Sequence, residues 1–64
     1  MKNRMNEIRA TLGWSQELLA EKAGVSRQTI NAIENDRYDP MLPLAFRIAK
    51  AFGMKVEEVF QPGE

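Results

Sequence analysis

The segment Gln16-Glu17-Leu18-Leu19-Ala20-Glu21-Lys22-Ala23-Gly24-Val25-Ser26-Arg27-Gln28-Thr29-Ile30-Asn31-Ala32-Ile33 sets two short helices on either side of one glycine. A helix-turn-helix needs a small residue where the first helix presses on the second, a bend residue tolerant of positive φ, and branched apolar residues beneath the second helix. Ala20, Gly24, and Ile30 with Ile33 supply these in order. Ser15 and Ser26 are suited to cap the two helices by accepting a first-turn amide. Trp14 before the first cap can staple to Leu19, and Val25 before the second to Ile30.

At about 100° per residue, Ile30 and Ile33 share one side of the second helix, and Arg27, Gln28, Asn31 and Asn35 fall on the opposite arc, with Ala32 at its edge. A solvated face is more commonly built of Glu and Lys. Gln and Asn amides pair a donor with an acceptor, as N7 and N6 of adenine require, and the Arg fork matches O6 and N7 of guanine. These residue types at this spacing point to a helix that reads base edges in a DNA major groove.

Outward from this motif, the chain divides at glycine and proline. A first helix is expected over about residues 4–12, with Met5, Ile8 and Leu12 inward and Gly13 at its left-handed end. The motif helices are placed at about 16–23 and 27–35, and the loop Asp36-Arg37-Tyr38-Asp39-Pro40 follows. A fourth helix at about 42–52 turns Leu44, Ile48 and Phe52 inward, and a fifth covers about 56–60. Residues 61–64 read as a frayed tail. Met41 and Lys55 are poor N-caps, so the last two helices lack a strong start signal.

The ordered set Ile8-Arg9, Gly13-Trp14-Ser15-Gln16, Leu19-Ala20, Gly24-Val25-Ser26, Ile33-Glu34-Asn35 and Pro40 through Phe52 resembles the Xre family, the Cro and phage-repressor type of helix-turn-helix regulator. The resemblance covers nearly the whole chain. It implies an all-α, compact five-helix bundle of the lambda-repressor-like type that binds operator DNA. It further implies a two-fold homodimer with recognition helices in successive major grooves, hence an inverted-repeat operator. Arg27, Gln28 and Asn31 align with positions that the family turns toward base edges. Gln16, at the amide-rich and positive end of a helix, is expected to meet a phosphate and to brace a recognition side chain.

Thr29 is placed either on a phosphate or back on its own helix. Asn35 suits a backbone contact or a simple cap, Arg37 has the reach for a phosphate, and Tyr38 serves either through its hydroxyl or by packing its ring. Glu34 would repel DNA unless turned inward, so it is read as structural, bonded to backbone amides or to Arg9. Asp36 stands where the family often has glycine.

The 64 residues suit one small domain, for which burial of only about 60% of the unfolded surface makes association helpful. Met54, Val56 and Phe60 are the candidates for a dimer interface, and the other reading of Val56 and Phe60 is that they close the domain's own core. There is no long apolar run and no signal-peptide core, so a cytoplasmic location is expected. The absence of Cys and His removes disulfides, the commonest metal ligands and the commonest general base, and no cofactor is expected. No phosphate loop or nucleophile-base pair suggests an enzyme.

Nine basic and nine acidic residues balance to zero. Few cations are then available to release counterions from DNA, so affinity should lean on specific contacts. Arg27 and Arg37 flank the reading surface, with Lys2 and Arg4 as further candidates. The neutral charge also suits an alternative, a protein-interaction module such as an antitoxin-like or adaptor protein.

Overall fold

The computed structural model describes residues 2–61. Capping decides where the motif helices begin. Ser15 Oγ accepts the Leu18 amide at 3.0 Å and opens α2 (Gln16–Ala23), and Ser26 Oγ accepts the Thr29 amide at 3.1 Å and opens α3 (Arg27–Glu34). Gly24 ends α2 at φ 75°, a left-handed conformation that side chains with a Cβ rarely adopt. Asp36 takes φ 60° after α3, the same region reached without glycine.

Helix α1 (Met5–Leu12) precedes the motif, and α4 (Leu42–Phe52) and α5 (Val56–Val59) follow it. Asn3 Oδ1 accepts the Met5 amide at 3.0 Å, capping α1 from two residues upstream. Met41 gives α4 no side-chain cap, and Pro43 supports the first turn instead. Lys55 does not weaken the start of α5, because its backbone amide is taken by the Glu58 carboxylate at 2.8 Å.

Among the described residues the five helices are accompanied by a two-stranded antiparallel ladder that the all-α expectation did not contain. Strand β1 (Lys2–Asn3) pairs with β2 (Phe60–Gln61), Lys2 opposite Gln61 and Asn3 opposite Phe60, and the Arg4 amide continues the contact to Val59 O at 2.8 Å. The fifth helix therefore stops before Phe60, and Gln61 is a strand residue, not part of a frayed tail. The rest of that expected tail, 62–64, lies outside the described residues. Asn3 also donates to Ile33 O at 2.9 Å, so the ladder is pinned to the end of α3.

The core gathers one face of every helix. Met5, Leu19, Ile30, Ile48 and Val59 have no exposed surface, and Ile33, Ala20, Ala23, Leu44, Ala45 and Ala49 close around them. Ala20 and Ala23 let α2 approach α3 and α4 closely, its main packing partners. Arg47 Nε on α4 donates to Ala23 O at 2.9 Å, satisfying a carbonyl that the end of α2 leaves without a helical partner.

Leu12 departs from the expected inner stripe. It is 45% exposed, although Met5 and Ile8 of the same helix are buried. Phe52 is half-buried and stacks on Trp14, with centroids 5.6 Å apart, while Lys22 Nζ lies 4.9 Å from the Trp14 ring centre. No helix among the described residues is long and apolar enough to cross a membrane.

Candidate nucleic-acid interface

Two buried isoleucines set the rotation of α3. Ile30 and Ile33 are 0% and 1% exposed, and turning the helix would bring both into water at about 2 kcal/mol each. With that side committed, Arg27 and Gln28 stand exposed on the first turn, Asn31 is half-buried one turn on, and Asn35 is exposed at the C-cap. The outward arc thus consists of one guanidinium and three carboxamides.

Beneath the arc lies a polar network that joins three helices. Arg9 of α1 grips Glu34 of α3 with both ends of its fork, Nε to Oε2 at 2.7 Å and Nη2 to Oε1 at 3.0 Å, and its Nη1 donates to Trp14 O at 2.8 Å. The two side chains are 13% and 4% exposed, so the ion pair is largely removed from water. Gln16 Nε2 of α2 donates to Glu34 Oε1 at 3.0 Å, and Asn31 Nδ2 donates to Gln16 Oε1 at 3.4 Å.

Burial alone would raise the Glu34 pKa. Hydrogen bonds from Arg9 and Gln16, the Arg9 charge and a bond from Asn6 outweigh it, and the carboxyl titrates below the ordinary range. The bond to Glu34 raises Arg9 in turn, against desolvation. Glu34 is therefore an inward-facing anion, held away from the outer surface.

The other expected contact residues are placed unevenly. Gln16 is half-buried, its amide engaged from both ends, at the first residue of α2. The Thr29 hydroxyl lies 2.9 Å from Ser26 Oγ, within the cap of its own helix. Asn35 Nδ2 donates to Asn31 O at 2.9 Å, closing the end of α3. Arg37 and Tyr38 are exposed on the loop after α3. Lys2 pairs with Gln61 through its backbone and is exposed on β1. Arg4 donates to the Glu7 carboxylate and to Glu58 O.

Of the three residues expected at a dimer interface, Phe60 is excluded. It is 3% exposed and belongs to β2, since the ladder folds it into the core. Met54 and Val56 remain half-buried at a groove of about 530 Å³ between α4 and α5, with Phe46, Lys50, Lys55 and Glu57 among its walls. The exposed apolar surface beside it, Leu42 at 62% and Phe46 at 56%, went unread in the sequence. Its signal is the four-residue spacing of Leu42 and Phe46, offset by two from the inner pair Leu44 and Ile48. Gln16 braces Asn31, a recognition side chain, as expected, but its anchor on Glu34 was not foreseen.

The Helix-turn-helix family model matches residues 5–59. An HTH-type transcriptional regulator of Methanocaldococcus jannaschii, MJ0272, is 58% identical over 60 residues, covering 94% of this chain and 91% of the relative. The immunity repressor protein of Bacillus phage phi105 is 39% identical over 56 residues, which are 88% of this chain and 39% of that protein. Among solved structures, the restriction-modification controller protein C.AhdI from Aeromonas hydrophila superposes with a TM-score of 0.84 at 30% identity, over 89% of this chain and 86% of that one. The capped pair α2 and α3, the bend at Gly24 and these matches together establish that this chain belongs to the Xre/Cro-type helix-turn-helix family of DNA-binding transcriptional regulators.

Proposed function

We propose that the protein is a sequence-specific repressor: α3 enters the major groove of an operator, and occupancy of that site excludes polymerase. The observation that carries this reading is the outward arc of α3, where Arg27, Gln28 and Asn31 occupy the side opposite two fully buried isoleucines. Each has groove-reading chemistry, and none is needed to close the core. Arg37, Asn35, Tyr38 and the amide-rich start of α2 at Gln16 supply backbone positioning. Thr29 contributes mainly through the cap it shares with Ser26. The phage immunity repressor among the relatives supports the direction of regulation.

Residues 1–64 act as one reading unit that works as a homodimer in the cytoplasm, on an inverted repeat and without a cofactor or enzymatic step. Leu42 and Phe46 with the Met54 and Val56 groove form the self-complementary face. Lys50 and Lys55 lie on the same rim as Glu57, so a two-fold axis can set opposite charges against each other.

Selection of bound duplexes from a random pool tests the reading, run beside the Gln28→Ala/Asn31→Ala variant. The wild type should enrich a short inverted repeat, and the variant should bind it about 100-fold more weakly. Phe46→Asp should sediment as a monomer and lose the repeat's second half-site. A folded wild type that enriches nothing would instead favour a protein-interaction module that uses the apolar face of α4 and α5.

A further inference from the structure

The polar network under α3 has a direction. A carboxylate can only accept hydrogen bonds, and Arg9 keeps a positive charge against Glu34 through two bonds of 2.7 and 3.0 Å. Gln16 must therefore bring its NH2 end to Glu34 Oε1, which lies 3.0 Å away, and this leaves Gln16 Oε1 pointing at Asn31. A carbonyl oxygen also only accepts. Asn31 must then donate to it with Nδ2, across 3.4 Å, and its own Oδ1 is left for the outer side together with the second Nδ2 hydrogen.

We propose that Glu34 is a positioning residue that sets the donor and acceptor order of the reading surface: through Gln16 it holds Asn31 with its carbonyl outward, and so selects adenine over guanine at the base that Asn31 faces. The inference rests on the groove-reading function proposed above. Adenine offers a donor at N6 beside an acceptor at N7, which meets an outward oxygen and one amide hydrogen. Guanine presents acceptors at both places, O6 and N7, and its O6 would face Asn31 Oδ1 with no hydrogen between them.

Glu34→Gln shows how firmly that order is set. Oε1 accepts from both Arg9 Nη2 and Gln16 Nε2, and Oε2 accepts from Arg9 Nε. An NH2 at either end would therefore face an Arg9 donor, and the arrangement that keeps two of these bonds leaves the oxygen at Oε1. Gln16 and Asn31 then keep their wild-type directions. Removing the pair, as in Arg9→Met with Glu34→Met, takes away the acceptor that fixes Gln16 and frees Asn31 to turn.

The experiment is the same duplex selection, carried out with wild type, Glu34→Gln, the double variant Arg9→Met/Glu34→Met, Gln16→Leu and Asn31→Ala, followed by competition among the four bases at the position where Asn31→Ala loses its preference. Wild type should favour adenine over guanine there by about tenfold. Glu34→Gln should keep that order, and the double variant, which removes the acceptor, should lose it. Gln16→Leu leaves the Arg9–Glu34 pair in place and should bring the two purines to within about twofold, with the preferences read by Arg27 and Gln28 unchanged. A purely structural role for Glu34 would weaken all positions together.

Retention of the adenine preference by Gln16→Leu overturns the proposal even if the double variant does not fold. Asn31→Ala with every preference intact also overturns it, and leaves the groove-reading function standing on Arg27 and Gln28. Only a wild type that enriches no sequence removes both.

Discussion

Arg9→Met lowers the stability of the domain by about 3 kcal/mol at neutral pH, which moves the urea midpoint by about 2 M when unfolding is followed through Trp14 fluorescence. Methionine retains most of the buried stem of Arg9. What it removes is the fork on Glu34 and the donor to Trp14 O. The Glu34 side chain, 4% exposed, is left as a buried anion with only neutral donors, Gln16 and Asn6, around it. In a chain of 64 residues this loss approaches the whole stability of the fold.

Changing both partners, Arg9→Met with Glu34→Met, should recover most of the loss, since paired removal leaves no uncompensated charge. A double variant as unstable as Arg9→Met would assign the effect to packing and contradict the electrostatic account.

Acid gives the same pair a second signature. The folded pKa of Glu34 lies below its unfolded value near 4.5, so the folded wild type binds the proton less readily than the unfolded chain. The stability this group contributes is complete above about pH 5 and is lost as the pH falls through the folded value. In Arg9→Met the sign reverses: burial without the cation raises the carboxyl, and protonation relieves the variant. The stability gap between the two proteins should therefore narrow from pH 7 to pH 4, and a gap that stays constant over that range would remove Glu34 as its source.

Leu19→Ala is the other large effect, a loss of about 3 kcal/mol. Leu19 has no exposed surface and sits on α2, the helix that packs most heavily on α3 and α4. Truncation leaves a cavity between helices already held close by Ala20 and Ala23, where small side chains cannot swing in to fill it. A thermal scan should show the melting temperature falling by more than 10 °C, with the helical signal at low temperature retained. A shift of only a few degrees would mean that α2 and α4 collapse onto the site.

The motif was legible because its signals are local. Ser15 and Ser26 cap by reaching three residues along the chain, Gly24 ends α2 by its own φ, and the opposition of Ile30 and Ile33 to Arg27, Gln28 and Asn31 follows from helical spacing alone. The pairing of Arg9 with Glu34 was one of two options that charge and spacing allowed. Leu12 misled because periodicity shows that a helix has an inner face and not how far along the helix that face stays covered.

Residue type, caps and spacing by themselves therefore determined the helix-turn-helix and the chemistry of its outward face, since each of these acts within one or two turns of chain. Tertiary structure decided what depends on contacts between distant segments. The ladder of residues 2–3 with 60–61 drew Phe60 into the core and away from any interface. The meeting of α1, α2 and α3 at Glu34 gave Gln16 and Asn31 their orientation, because an amide's direction is set by the partners that surround it and not by its neighbours in sequence.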